Sequence, residues 1–477
     1  MRKLQNIVRQ LTATMDARWM PFADAASPDL PLSRLLRLSL FQFSIGLATA
    51  LLVGTLNRVM IIELGVPAWW VALSVALPLV FAPLRALIGF RSDTHRSALG
   101  LRRLPYLWIG SLLLFGGLAI MPFGLLALSD PQPGMLWVSR IGAGLAFLLV
   151  GMGMQVTQTA GLALATDLAT PETRPRVVAL MYTMLLLGLV GSGTLFGWLL
   201  ADFSPLRLIQ TVQGSAVLVV MLNLNALWKQ EALNRDRARQ PRNEENFSSH
   251  WRSYAVRPGV KRFLWTVGLG TCAFNMQDII LEPYGGEILQ LGVGATSSLT
   301  AISAAGALLA FGIAARLLAS GLDAGRIAAL GALLGMPAFA MVIFSAPLDA
   351  PNLFRCGAFL IGAGGGLFAV GTLTMAMDLQ IGDSAGMALG AWGAVQATAA
   401  GASVALGGVI KDVIGSFASS GWLGESLISP VTGYSFVYHL EMYLLFAVLI
   451  AIGPLAKRVR HEQAAQPRKF GLAEFPG

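Results

Sequence analysis

Long apolar runs alternate along this chain with short polar breaks, many of them basic. An apolar run of about 20 residues is the length that spans the hydrocarbon core of a bilayer as an α-helix. Twelve such runs are read near 36–62, 68–90, 104–128, 136–165, 176–200, 206–228, 261–285, 294–317, 326–346, 352–377, 384–411 and 435–456. The eleventh is dominated by Gly and Ala. The pattern predicts an all-α membrane protein with twelve transmembrane helices.

Composition agrees. Of the 477 residues, 55% are hydrophobic and only 12% charged, where an ordinary soluble domain carries about 25% charge. The net charge of +9 raises the question of a nucleic-acid partner, but its placement argues against one. Most basic residues fall at one end of the predicted helices: Arg34 and Arg37 before the first, Arg102 and Arg103 before the third, Arg174 and Arg176 before the fifth, and a dense group from Lys229 to Arg262. Arg58, Arg140, Arg207, Arg355 and Lys411 fall at the other end. This asymmetry is the positive-inside pattern and predicts both termini on the cytoplasmic side of the membrane. It also divides the chain into a cytoplasmic arm (1–35), a first half (36–228), a linker (229–260), a second half (261–456) and a tail (457–477).

In the arm, Leu4, Ile7, Val8, Leu11 and Met15 share one helical face while Arg2, Lys3 and Arg9 lie elsewhere. That arrangement suits an interfacial helix on anionic lipid. Trp69, Trp70, Trp137, Trp198 and Trp422 fit an interfacial belt at one boundary, and Trp108, Trp228 and Trp265 at the other. The first apolar run lies behind the arm and is too long for a cleavable signal peptide. Cys272 and Cys356 both fall in predicted helices and read as small hydrophobes.

The two halves echo each other. Glu63-Leu64-Gly65-Val66-Pro67-Ala68 follows the first run, and Gln290-Leu291-Gly292-Val293-Gly294-Ala295 follows the seventh. Asp167-Leu168 after the fourth run matches Asp378-Leu379 after the tenth. Two pseudo-symmetric six-helix halves in parallel orientation are the repeat of major facilitator proteins. Gly89-Phe90-Arg91-Ser92-Asp93 with Arg96 and Arg102-Arg103 resembles that superfamily's Gly-x-x-x-Asp-Arg-x-Gly-Arg-Arg loop, with an insertion. The stretch from Asp167 through Pro171 and Glu172 to Arg174 resembles its loop between helices four and five. The resemblance implies a cytoplasmic latch involving Gly89, Asp93, Arg96, Asp167 and Arg174, with carboxylates at helix ends beside guanidinium groups.

The stretch Gln277-Asp278-Ile279-Ile280-Leu281-Glu282-Pro283-Tyr284-Gly285-Gly286-Glu287 carries the most conspicuous chemistry. Asp278 and Glu282 stand four apart, on one face of a helix. A charge in a membrane helix costs about 2.5–3.5 kcal/mol on insertion scales and marks a functional suspect. In the register of the repeat, Glu282 aligns with Thr55 and Asp278 with Leu51, so the acids have no mirror image. Helices one and seven face each other in this architecture. Arg58 is therefore expected to pair with Glu282 or Asp278, as a structural clamp at the outer mouth or as part of a ligand or proton site. Gln155 and Gln158 on helix four, and Trp392 and Gln396 on helix eleven, are cavity candidates or helix–helix hydrogen-bonding groups. Gly362-Ala363-Gly364-Gly365-Gly366 reads as a close-packing stretch and not as a nucleotide loop. No nucleophile–base set, metal cluster or phosphate loop is found, so no enzyme is expected. Of the four histidines, only His439 falls on a predicted membrane helix.

Three segments carry a narrower resemblance. Gly54-Thr55-Leu56-Asn57-Arg58-Val59-Met60-Ile61-Ile62-Glu63-Leu64-Gly65-Val66-Pro67, Ala82 through Ser97, and Asp278 through Gly286 are similar to the PucC/LhaA family, a facilitator branch of photosynthetic bacteria. The long arm inclines the chain to the LhaA branch, which serves the core antenna, over the PucC branch, which serves the peripheral one. The resemblance implies a light-harvesting assembly factor. It would bind bacteriochlorophyll, with carotenoid as a second pigment, and deliver it to nascent antenna polypeptides. Pigment-synthesis enzymes and membrane-insertion machinery are the further expected partners. For a magnesium tetrapyrrole, His439 is an axial-ligand candidate, and carboxyl, amide or water oxygens are alternatives. A secondary transporter of a small solute and a pigment-free scaffold remain the competing readings.

Overall fold

The computed structural model describes residues 25–27, 30–80, 101, 103–129, 136–170, 173–231, 259–378 and 385–462. The arm helix, Gly89, Asp93, Arg96 and the linker from 232 to 258 lie outside the described residues, as does the side chain of Arg174.

Twelve helices follow in order among the described residues. They are α1 (Leu32–Glu63), α2 (Ala68–Val80), α3 (Leu104–Ser129), α4 (Leu136–Leu168), α5 (Arg174–Leu199) and α6 (Pro205–Leu227) in the first half. In the second half, α7 is built from Val260–Asn275, Met276–Ile279 and Leu281–Glu287. It is followed by α8 (Val293–Ala319), α9 (Ala324–Ser345), α10 (Pro351–Asp378), α11 (Ala385–Ser419) and α12 (Val431–Glu462). Ten of them are long and apolar enough to cross a membrane; α2 is described over a shorter length and α7 is interrupted.

Packing repeats between the halves. In the first, α1 packs on α5 and α6, and α3 on α4 and α6. In the second, α7 packs on α11 and α12, and α9 on α10 and α12. Small residues make the closest approaches. A Cβ on Gly153 would fall 2.4 Å from the backbone of Leu114, and one on Gly331 would fall 2.5 Å from the Gly364 carbonyl. The Gly362–Gly366 stretch thus packs helices, as glycines do in membranes. Between the halves, α2 meets α11 and α5 meets α8, again through glycine: Gly408 lies against Ala68 and Ala72, and Gly294 against Gly197.

Two helices depart from regular α geometry. α1 widens into π-helical turns at Ala50–Leu56 and Val59–Glu63, a deviation that tends to accompany functional sites. α7 tightens into a 3₁₀ turn at Met276–Ile279 before resuming at Leu281. Pro283 gives a physical reason. It has no N–H to offer the Ile279 carbonyl, and its ring crowds that carbonyl. The continuous seventh helix expected from the sequence is therefore broken inside the stretch that carries the acids.

Most of the tryptophans expected at the boundaries are exposed, Trp198, Trp265 and Trp422 among them. Trp70 is instead buried, its ring edge facing Gly144. Cys272 and Cys356 are both free.

Candidate functional site

A cavity of about 360 Å³ lies between the halves, within the size range of small-molecule sites. α1, α5, α7, α8, α10 and α11 all contribute to its walls. Phe274, Phe311 and Phe368 give it apolar surface, and Gly362, Gly365 and Gly366 lie in its α10 wall beside Ile361 and Ala369. Its polar groups come mainly from α7.

Asp278 and Glu282 both reach this cavity, although the helix between them is broken. Glu282 is buried; Thr300 on α8 donates to its Oε1 at 2.6 Å, while its Oε2 has no partner. Gln277 is also buried. Its Nε2 donates to Asp278 at 2.5 Å, and its Oε1 is unpartnered. On the far side of α7, the Gln277 backbone N–H donates to Glu441 at 2.7 Å. Glu441 sits fully buried on α12. The side chain of Asn57 in α1 donates to the Asp278 carbonyl at 3.2 Å, so the broken segment is held from both halves.

Helix α1 adapts to this arrangement at Gly54. A Cβ there would stand 2.6 Å from both Glu282 Oε1 and Thr300 Oγ1. Next to it, the Thr55 hydroxyl donates to Ser297 at 3.0 Å. The Gly54-Thr55 dipeptide lets the two halves touch beside the carboxyl group.

The expected pairing of Arg58 with Glu282 or Asp278 is not formed. Arg58 is buried, and its Nη1 lies 2.5 Å from Glu63 on its own helix. Its Nη2 donates to the Leu291 carbonyl at 3.2 Å. The π turn at Val59–Glu63 brings Glu63 back alongside Arg58, so the local partner takes the guanidinium. None of Asp278, Glu282 and Glu441 forms an ion pair among the described residues. The clamp toward the end of the bundle away from the termini is instead Arg58–Glu63 with Leu291. Beside it Asp412 accepts from the Trp69 backbone at 2.7 Å, and Tyr434 donates to Glu287 at 2.6 Å.

The Pro-Tyr-Gly-Gly element has a packing role. Tyr284 is fully buried and donates to the Val342 carbonyl at 3.1 Å. Its ring centroid stands 5.5 Å from those of Phe354, Tyr434 and Tyr438. Gly286 makes room for Arg58, whose Nε would lie 3.0 Å from an added Cβ.

The remaining candidates divide. Gln396 lines the cavity with the two acids. Trp392 does not; it is buried and donates to Thr372 at 3.2 Å. Gln155 is buried within the first half, and Gln158 is half-buried beside it; neither lines this cavity. His439 is exposed on α12, its Nδ1 lying 2.7 Å from the Ser435 carbonyl, and does not face the cavity. Asp167 pairs with Arg103 at 3.1 Å, a partner the motif comparison did not single out. Glu441 and Gln277 were not anticipated, although a lone acid in an apolar helix is a signal that sequence alone provides.

The fold and this site define a polytopic helical membrane protein of the facilitator type, with two halves around a central cavity. The crystal structure of the nucleoside transporter NupG (D323A mutant) is similar over 88% of this chain and 99% of its own, with a TM-score of 0.65 at 14% identity. That similarity concerns the fold. The family model described as PUCC protein matches residues 55–459, and the chain belongs to this family. Protein PucC of Rhodovulum sulfidophilum is 51% identical, covering 87% of this chain and 92% of the relative. An uncharacterized protein from the puhA-bchM intergenic region of Rhodobacter capsulatus is 50% identical, covering 98% of this chain and 99% of the relative.

Proposed function

We propose that this protein is an assembly factor for a bacterial light-harvesting antenna, with the core complex favoured. It binds bacteriochlorophyll, with carotenoid as a second pigment, and hands it to nascent antenna polypeptides within the membrane. The observation that carries this reading is the cavity between the halves: aromatic side chains in its walls, with carboxyl and amide side chains on one side. Membership of the PucC family supports it.

The residues present fit a magnesium tetrapyrrole. Magnesium prefers hard oxygen donors, and Gln277, Asp278, Glu282 and Gln396 bring oxygen-bearing side chains to the cavity lining. Phe274, Phe311 and Phe368 offer apolar surface to a ring. When bound, the pigment supplies light absorption and a coordinatively unsaturated metal; the protein supplies the oxygen donors, the apolar walls and shielding from water. At about 360 Å³, the cavity receives only part of such a ligand, leaving the rest, with its hydrocarbon tail, for the lipid. Antenna polypeptides, pigment-synthesis enzymes and insertion machinery are the proposed protein partners, and anionic lipid is the proposed partner of the N-terminal arm.

The fold of solved transporters favours a second reading, transport of a small solute. Absorption spectroscopy separates the two. Protein purified in detergent from pigment-making cells is expected to carry pigment absorbance in proportion to protein. Preparations without pigment would defeat the proposal and leave the transporter and scaffold readings.

A further inference from the structure

We infer that the lipid-facing side of α12 is a second pigment site, outside the cavity. His439 Nε2 is the axial ligand of a magnesium tetrapyrrole there, and the Tyr443 hydroxyl donates to a carbonyl at the edge of the macrocycle. The identity of the ligand rests on the pigment reading above; the location rests on two polar side chains that face hydrocarbon.

The membrane span of α12 runs over Val431–Leu455. A neighbour marks its depth. Gly433 packs on the Lys411 carbonyl, and the adjacent Asp412 accepts the Trp69 N–H at the start of α2. That level is the boundary at the end of the bundle away from the termini. His439 lies about 9 Å further in along the helix, and Tyr443 about 15 Å, at 1.5 Å per residue. Tyr443 stands at the middle of the span. Yet both side chains are exposed, Tyr443 to 67%. Ionisable groups at such depth ordinarily face the bundle interior, as the fully buried Glu441 does. Hydrocarbon offers them no hydrogen-bond partner, so a partner from outside the chain is called for.

The imidazole is already oriented. Its Nδ1 lies 2.7 Å from the Ser435 carbonyl, one turn back on the same helix. A carbonyl only accepts, so Nδ1 carries the proton of the neutral ring and Nε2 keeps its lone pair. Metal-ligating histidines are held in this way, one ring nitrogen on a carbonyl and the other on the metal. One nitrogen holds a bare ion poorly, but a metal already held by the four nitrogens of a macrocycle takes a single axial imidazole, as haem iron does. A neighbouring membrane helix is the other occupant an exposed face could have. Its backbone N–H groups are already bonded within the helix, so they leave Nε2 unserved.

The surrounding face suits a flat ring. Phe436, His439, Tyr443 and Phe446 share one stripe of α12, and all four are exposed. Phe436 and Tyr443 stand about one turn to either side of His439, about 10 Å apart along the axis. On this open face the bilayer encloses the rest of the ligand, so the volume of the cavity between the halves sets no limit.

The test uses full-length protein purified in detergent, both from pigment-making cells and pigment-free with purified bacteriochlorophyll or its magnesium-free counterpart added. Wild-type protein is expected to retain more of the magnesium form. His439→Leu, a side chain at home in lipid, is expected to weaken binding of that form at this site about tenfold, which erases the difference and spares the magnesium-free pigment. Tyr443→Phe keeps the ring and loses the hydroxyl. It is expected to shift the long-wavelength absorption band with little loss of pigment; an unshifted band overturns the Tyr443 contact. Phe436→Ala is expected to weaken both pigments alike, by about threefold. Elution profile and far-UV circular dichroism check that each variant folds, and the exposed positions of His439 and Tyr443 keep their substitutions out of the internal packing. Equal loss of both pigments in His439→Leu would mean a packing role and overturns ligation. A preference for the magnesium form that survives His439→Leu overturns the site while the pigment reading stands. Loss of a co-purifying antenna polypeptide from that variant, with pigment unchanged, assigns the face to a helix and overturns the site as well. Wild-type protein that carries no pigment from cells and retains none when it is added removes the pigment reading and this assignment with it.

Discussion

Glu441 on α12 accepts the backbone N–H of Gln277 at 2.7 Å, at the turn where α7 changes from α to 3₁₀ geometry. A helix break inside a membrane must find partners for the backbone groups it frees, because hydrocarbon offers none. Glu441 is such a partner, and it ties the conformation of α7 to the position of α12.

The first prediction follows. Glu441→Leu leaves the Gln277 N–H buried without an acceptor, at a cost of about 1–3 kcal/mol. Glu441→Gln retains an acceptor and is expected to lose less. Thermal unfolding in detergent, followed by circular dichroism, ranks the two. A Leu variant as stable as wild type would show that the break is held elsewhere, for example by Asn57.

Gly54 gives the second prediction. Its missing Cβ is the space in which Glu282 and Thr300 meet α1. Gly54→Ala forces a shift in one of these partners and is expected to destabilise by about 1–3 kcal/mol. Gly116, also in a helix, would place a Cβ in open space. Gly116→Ala is expected to be neutral or stabilising by about 0.5–1 kcal/mol. Equal unfolding temperatures for the two variants would remove the contact argument at Gly54.

These residues show how far the sequence could be read. Run length was enough for twelve helices, and the Glu63 and Gln290 segments were enough for two related halves. Asp278 and Glu282 were recognisable because charge is rare in apolar helices. Their geometry was not, because spacing arguments assume an unbroken helix and Pro283 acts on the turn before it. The partner of Arg58 was misread for a related reason. Opposed helices suggest a pairing across the cavity, but a π turn, which has no clear sequence mark, brings Glu63 within reach on the same helix. Tyr284 and Gly286 were legible as a family signature, while their packing role needed the positions of Phe354, Tyr434, Tyr438 and Arg58.

The third prediction concerns that ion pair. Arg58 is buried and Glu63 is about one-third exposed, at 36% for its side chain. Removing one partner of a fully buried pair costs about 3–5 kcal/mol, and exposure of Glu63 lowers this to about 1–3 kcal/mol. Glu63→Ala is therefore expected to lower the unfolding temperature more than Glu282→Gln, which leaves the Arg58 pair intact. Exchanging Arg58 and Glu282 is expected to be no better than either single change. Restoration of stability by the exchange would reinstate the cross-cavity pairing.

The end of the bundle nearer the termini supplies the last prediction. Glu231, just beyond α6, accepts the backbone N–H groups of Arg103 and Leu104, both at 3.1 Å, at the start of α3. The Arg103 side chain reaches Asp167 at the end of α4 at 3.1 Å. Beside them, Arg34 at the start of α1 donates to the Gln230 carbonyl at 2.5 Å. Four helix ends are thus joined through one short segment. The first N–H groups of a helix need acceptors, and an acidic group there is also favoured by the helix dipole. Loss of such a cap costs about 0.5–2 kcal/mol, so Glu231→Ala is expected to destabilise within that range. Asp167→Asn is expected to weaken the same junction from the other side. Because both act on Arg103, their effects should not add; a coupling of at least about 0.5 kcal/mol is expected in a double-mutant cycle. Strict additivity would mean that the cap and the ion pair work independently, and that α3, α4 and α6 are not held as one unit at this end.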